Sequence, residues 1–154
     1  MLTLDVQDES TVLAAAKQLK DIPIDLLTNN AGIFTEGNTM TSTSKENMMK
    51  EFEVHAMGPL LVTRALLPNL RLAATSKRNC VHVVQMSTID ASIEGCGGPI
   101  AYCTSKTALH MVNSTMANEL ECDNIAVILL DPGMIYRLVL TKGKQPKSSL
   151  KWQM

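Results

Sequence analysis

Apolar residues follow two rhythms along this chain. Short alternating or continuous runs are separated by longer stretches in which apolar positions return every three or four residues. The first run, Leu2 to Val6, reads as a short strand ended by Gln7-Asp8. Asp8 then caps a helix whose inner face carries Val12, Ala15, Leu19 and Ile22. Ile24 to Leu27 is apolar except for Asp25, as in buried parallel strands, and ends in the polar turn Thr28-Asn29-Asn30-Ala31-Gly32. Residues 35–44 are a loop rich in Gly, Thr and Ser. Ser44 opens a helix with Met48, Phe52 and His55 or Met57 at helical spacing, and this helix is expected to stop at Gly58-Pro59. A second helix is expected from Leu60 to Leu72, with Leu61, Ala65 and Leu66 inward and Pro68 as a candidate kink. Cys80 to Met86 alternates as a strand through Val81, Val83 and Val84. Ser87 to Pro99 is a loop containing Gly95, Gly97 and Gly98, a helix runs to about Leu120, and Ile125 to Leu130 is the next strand, closed by Asp131-Pro132-Gly133. After Tyr136 the pattern fades. Residues 141–154, with Lys142, Lys144, Lys147 and Lys151, read as a mobile tail beyond a domain covering 1–140.

Strands alternating with helices predict an α/β domain built on a parallel sheet. Such sheets bind ligands beyond the carboxyl ends of their strands. Asp5-Val6, Asn29 to Gly32, Ser87-Thr88 and Pro132-Gly133 all fall at strand ends of that kind.

Bulk composition narrows the function classes. The chain has 154 residues, 45% apolar and 19% charged, which suits one globular domain with a core. A net charge of −1 favours neither nucleic acid nor an anionic membrane as a partner. The longest apolar runs, Pro59 to Val62 and Ile125 to Leu130, are too short to span a bilayer, and Met1 to Asp5 lacks the features of a signal peptide. A cytoplasmic, reducing setting is therefore expected. The four cysteines, Cys80, Cys96, Cys103 and Cys122, form no C-x-x-C pair and read as free thiols, with Cys80 and Cys103 packed; no metal site is expected. His82 and His110 read as structural.

Tyr102 and Lys106 carry the candidate chemistry. Four residues apart on a helix, they share a face. A nearby ammonium favours the phenolate, so Lys106 is expected to lower the Tyr102 pKa and prepare it to exchange a proton with a carbonyl or an alcohol. Taken alone, this pair reads more readily as an exposed pair on a solvated face. The convergence of four strand ends on one region reverses that weighting towards an active site.

With those residues in place, the chain resembles the short-chain dehydrogenase/reductase family from about residue 2 to residue 136. Within it, the likeness is to carbonyl reductases of the C-factor and sniffer type. It rests on Leu4-Asp5-Val6, Leu27-Thr28-Asn29-Asn30-Ala31-Gly32-Ile33, Gly58-Pro59-Leu60-Leu61-Val62-Thr63, Gly97-Gly98 and Tyr102-Cys103-Thr104-Ser105-Lys106. The resemblance implies an NAD(P)-dependent oxidoreductase that exchanges hydride between a nicotinamide and a small carbonyl or alcohol substrate, with NADPH favoured over NADH. It implies that Asp5 and Val6 flank the adenine, and that Asn29, Asn30, Ala31 and Gly32 brace the central strand and line the ribose side. Tyr102 would be the general acid, and Lys106 would bond the ribose and depress the Tyr102 pKa. Pro132, Gly133 and Ile135 would pass beside the nicotinamide.

Several positions depart from the family. Thr88 stands where the family places its substrate-binding serine, and Ser87 replaces it only if the loop shifts. His55 stands at the asparagine that holds a proton-relay water, and as a histidine it is expected to titrate near neutrality. Arg137 lies near the threonine that grips the carboxamide. No strand and Gly-rich turn precede Leu2, so the expected fold is an incomplete Rossmann-like, doubly wound parallel sheet, three-layer αβα, lacking the first βαβ unit. The strand at Leu2 to Asp5 would then lie across a gap from Ile24 to Leu27, leaving an exposed edge and an unstable isolated chain. An alternative stays open: a catalytically inactive, truncated member acting as a homo- or heterodimerisation protein through helices 44–72 and 101–120, or a nonfunctional remnant.

Overall fold

The computed structural model describes residues 2–37, 39–75, 80–94 and 97–133. Three parallel strands form one sheet in the order β1 (Leu26–Asn29), β2 (Val81–Met86), β3 (Ile125–Leu130). In β2 every second side chain is buried, and Val81, Val83 and Gln85 face the helices. Their register partners Leu27, Ile125 and Val127 lie on the same face.

Helix α1 (Glu9–Gln18) begins where the Asp8 side chain accepts the Ser10 N–H. Helix α2 (Lys45–Phe52) begins where Ser44 accepts the Asn47 N–H. A π-helical turn, Glu53–Met57, joins α2 directly to α3 (Gly58–Ala74). The expected stop at Gly58-Pro59 is therefore corrected. The backbone stays helical through Met57 and Gly58, so Pro59 lies inside a continuous helix, and the wide π-turn immediately before it is where the ladder accommodates its ring and missing N–H. Gly58 is needed for contact: a Cβ built there would lie 2.9 Å from Val6 Cβ. Phe52 is exposed, and of the alternatives His55 and Met57 it is His55 that is buried, together with Glu51, Val54 and Ala56. The wide turn shifts the buried face around the helix at this point. Helix α4 (Ile100–Leu120) has the extent expected from its pattern.

Leu70 and Ala73 of α3 and Met116 and Leu120 of α4 pack on Val81, Val83, Ile125 and Val127. Val12, Val62 and Leu66 form a second cluster that carries α1. The architecture is the incomplete Rossmann-like α/β sheet expected, and the described residues supply two of its three layers. Side chains on the opposite sheet face, including Leu26, Ile128 and Leu130, are exposed.

Two strand expectations change. Leu2 to Val6 joins no ladder among the described residues, because its polar groups serve α1: Asp5 N–H donates to Thr11 Oγ1 at 2.9 Å, and the Asp5 carbonyl accepts from Thr11 Oγ1 and the Asp8 N–H. The strand placed at Ile24 to Leu27 begins instead at Leu26, and it forms the exposed edge that was expected, with Leu26 60% exposed. Cys80, expected to be packed, is exposed, while Cys103 is buried. The tail assigned to 141–154 lies outside the described residues, as does Cys96.

Leu70 is fully buried between α3 and the sheet. We predict that Leu70→Ala lowers the urea-unfolding free energy by about 2–5 kcal/mol. Leu26→Ala, at the exposed edge, changes it by no more than about 0.5 kcal/mol.

Candidate active site

The site sits where the carboxyl end of β2 meets the first turns of α4. Lys106 is 6% exposed, and its Nζ donates to the Met86 carbonyl at 2.7 Å, the last carbonyl of β2. Burial pushes its pKa down. One turn earlier, Tyr102 is half-buried with its ring centroid 5.9 Å from Lys106 Nζ. The expectation that Lys106 lowers the Tyr102 pKa is corrected. Burial raises it, and the charges of Asp90, Cys103, Glu51 and Asp131 raise it further. The ammonium is drawn to the strand carbonyl and lies towards the ring, so the acidic neighbours prevail.

His55 touches this pair from behind. It is 1% exposed and meets the Tyr102 ring edge-on, with centroids 5.5 Å apart. The Ile33 N–H donates to His55 Nε2 at 3.0 Å, and a backbone N–H has no acceptor role. The neutral ring therefore carries its proton on Nδ1, which lies 2.8 Å from Ser105 Oγ. Ser105 Oγ in turn donates to the Tyr102 carbonyl at 2.7 Å. Burial first, and the Lys106 charge second, push the His55 pKa down to about 4. The expected titration near neutrality is corrected, since both ring nitrogens have protein partners and the charged form loses hydration. A Cβ built at Gly32 would stand 3.4 Å from His55 Nε2, in ordinary van der Waals contact.

The two hydroxyls after β2 have separate partners. Ser87 Oγ lies 2.6 Å from His110 Nε2 of α4. Thr88 Oγ1 accepts the Asp90 N–H at 3.2 Å and caps the short turn Ile89–Ala91. Among the described residues neither hydroxyl bonds to Tyr102. Asn29 Nδ2 donates to Thr63 Oγ1 at 3.1 Å and so braces the end of β1 against α3. Val6, Asn29, Asn30 and Ala31 share a cavity of about 220 Å³ with Leu4 and Pro59, which groups the expected adenine- and ribose-side residues in space. Asp5 Oδ1 accepts the Gln7 N–H at the same end. Pro132 and Gly133 follow β3 at the surface, where Asp131 Oδ1 accepts the Gly133 N–H. Ile135 and Arg137 lie outside the described residues.

Sequence reasoning missed Glu51 and Phe34. Glu51 is fully buried, and its Oε1 accepts both the N–H and the hydroxyl of Thr35, at 2.7 and 2.6 Å. Phe34 places its ring 5.7 Å from that of Tyr102. Glu51 stands four residues before His55, and that spacing was the available signal for a shared helix face.

The nicotinamide and ribose end of a dinucleotide fits the buried Lys106 and half-buried Tyr102 at the strand end. A pyrophosphate does not fit α1, whose start is taken by the Asp8 carboxylate with Glu9 in the first turn.

A family model described as short chain dehydrogenase matches residues 1–147. The chain belongs to the short-chain dehydrogenase family. It is 36% identical over 114 residues to the C-signal protein of Myxococcus xanthus, covering 73% of this chain and 66% of that protein. It is 33% identical over 138 residues to dehydrogenase/reductase SDR family member 7B of Mus musculus, covering 88% of this chain and 41% of that protein. Among solved structures it is similar to the Sniffer carbonyl reductase of D. melanogaster, with a TM-score of 0.80, 26% identity and coverage of 86% of this chain and 58% of the other. It is also similar to an NADPH-bound carbonyl reductase from chicken fatty liver, with a TM-score of 0.78, 29% identity and coverage of 86% and 56%. The chain thus spans about 40% to two thirds of the length of these relatives.

The folded His55 binds a proton only near pH 4, whereas an unfolded histidine does so near 6.5. Between those values the unfolded chain takes up more protons, so stability falls as pH falls. We predict constant stability from His55 above about pH 6.5 and a loss on the order of 3 kcal/mol on acidification to about pH 4. Thermal melts of the parent chain and of His55→Asn check this, with a shallower acid dependence expected for the variant.

Proposed function

We propose that this chain is the catalytic part of an NAD(P)-dependent oxidoreductase that reduces small carbonyl compounds. The reading is carried by one observation: Tyr102 and Lys106 stand one helical turn apart at the carboxyl end of the central strand, with Lys106 Nζ bonded to the Met86 carbonyl. A bound nicotinamide supplies or accepts hydride there. Tyr102 gives a proton to the carbonyl oxygen as it gains charge. A phenol whose pKa is raised by burial and acidic neighbours stays protonated across neutral pH, the form that reduction requires. Alcohol oxidation needs the phenolate, so the site favours the reductive direction.

Lys106 would hold the ribose. Asn29, Asn30, Ala31 and Gly32 would line its side, Asp5 and Val6 the adenine, and Pro132, Gly133 and Ile135 the nicotinamide. Thr88 would orient the substrate oxygen. Ser87 and His55 would act behind it through His110 and Ser105. Likeness to an NADPH-bound carbonyl reductase supports NADPH over NADH. No described helix is long and apolar enough to cross a membrane, and a cytoplasmic setting suits the free thiols of Cys80, Cys103 and Cys122.

A second reading has its own support. Met49, Phe52 and Leu60 on the α2–α3 helix, and Met111 on α4, are exposed apolar side chains. They suit a dimer, with another copy or with a longer relative, through helices 44–72 and 101–120. Light scattering behind a sizing column gives twice the monomer mass if that reading holds.

The oxidoreductase reading predicts a weak but saturable enhancement of NADPH fluorescence on adding the chain, weak because α1 offers no pyrophosphate site. It predicts that Tyr102→Phe lowers kcat for carbonyl reduction about 10²–10⁴-fold while NADPH still binds. Absence of NADPH binding by the unaltered chain contradicts it.

A further inference from the structure

Phe34 is 64% exposed, yet its position is set with unusual firmness. The residue before it, Ile33, donates its N–H to buried His55. The residue after it, Thr35, donates its N–H and hydroxyl to buried Glu51. Both acceptors come from one continuous helix, four residues apart, so a single rigid element grips the backbone on either side of the ring. The Phe34 ring is tilted 56° against Tyr102 at 5.7 Å, within the range for favourable aromatic pairs. His55 closes another side of Tyr102 with its own ring edge. A loop residue exposing an apolar ring merely by chance needs no such double clamp. Preorganised aromatic surface beside a proton donor is a recognition element, because its ordering is complete before a ligand arrives.

We infer that Phe34 is a specificity-determining wall of the Tyr102 site and selects flat aromatic carbonyl compounds, with Glu51 and His55 as its positioning residues. The inference rests on the oxidoreductase reading for its choice of a carbonyl group. The substrate ring lies against Phe34, and the carbonyl oxygen points to the Tyr102 hydroxyl. A saturated ring of the same size lacks the π-face and loses the aromatic part of this contact. The aromatic increment corresponds to about threefold to tenfold in affinity.

The chain contains two phenylalanines, Phe34 and Phe52, so labelling with 4-fluorophenylalanine yields two fluorine signals, assigned with Phe34→Leu. The full chain is titrated with acetophenone and with cyclohexyl methyl ketone. The expected result is a saturable shift of the Phe34 signal, an unmoved Phe52 signal, and acetophenone binding about threefold to tenfold tighter. In Phe34→Leu the preference falls to about one while the thermal midpoint persists. Thr35→Val removes one hydroxyl contact to Glu51, and it broadens the Phe34 signal if the clamp is what holds the ring. Equal affinity for the two ketones, or a preference that survives Phe34→Leu, overturns the inference. NADPH fluorescence in the same samples separates the two claims. Cofactor binding without aryl preference sinks this inference alone, and aryl preference without cofactor binding sinks the oxidoreductase reading alone.

Discussion

The buried imidazole of His55 is the point through which three parts of the molecule are held in register. Nε2 receives the N–H of Ile33 from the turn after β1, and Nδ1 reaches Ser105, which passes the bond to the Tyr102 carbonyl on α4. The ring itself belongs to the π-turn between α2 and α3. An inserted π-turn costs helical regularity and persists where a side chain must be aimed at a site. Here it brings Val54, His55 and Ala56 into the interior consecutively. Removing the proton acceptor at Nε2 would leave the partly buried Ile33 N–H without this partner, at a cost in stability. The placement of Phe34 depends on this ring together with Glu51, and the Tyr102 ring meets it edge-on.

Electrostatics then divide the labour between Tyr102 and Lys106. A buried ammonium is costly unless it finds an acceptor, and Lys106 finds the last carbonyl of β2. This bond ties α4 to the sheet but withholds the cation from the phenol. Asp90, Cys103, Glu51 and Asp131 surround Tyr102 instead, and the phenol keeps its proton. His110, beside Ser87, has its pKa lowered by burial and by Lys106. The surroundings thus favour the protonated form of the phenol and the neutral form of both imidazoles.

Much of this was legible in the sequence where local rules and tertiary packing agree. The alternation of Val81, Val83 and Gln85 marks a strand covered on one face, and Ser44 and Asp8 mark helix starts through their own side-chain bonds. The family motifs located Tyr102 and Lys106 and the fold around them. The failures arise where neighbours decide. Leu2 to Val6 has strand-like residues, but a ladder needs a partner, and its backbone groups are claimed by Thr11 and Asp8. Gly58-Pro59 reads as punctuation, yet the π-turn before it lets the helix run through the proline. Glu51 looks like a solvated helix residue until the Thr35 turn folds over it. The spacing of Tyr102 and Lys106 placed a cation near the phenol, but it could not reveal that the Met86 carbonyl takes the ammonium.

The most direct test of this account is the protonation state of the His55 ring, read by long-range ¹H–¹⁵N correlation NMR of the folded chain. The account predicts a proton on Nδ1, none on Nε2, and no titration of this ring from pH 8 down to about 5. A proton on Nε2, or titration near the ordinary histidine value, would show that His55 does not receive the Ile33 N–H and would contradict the account.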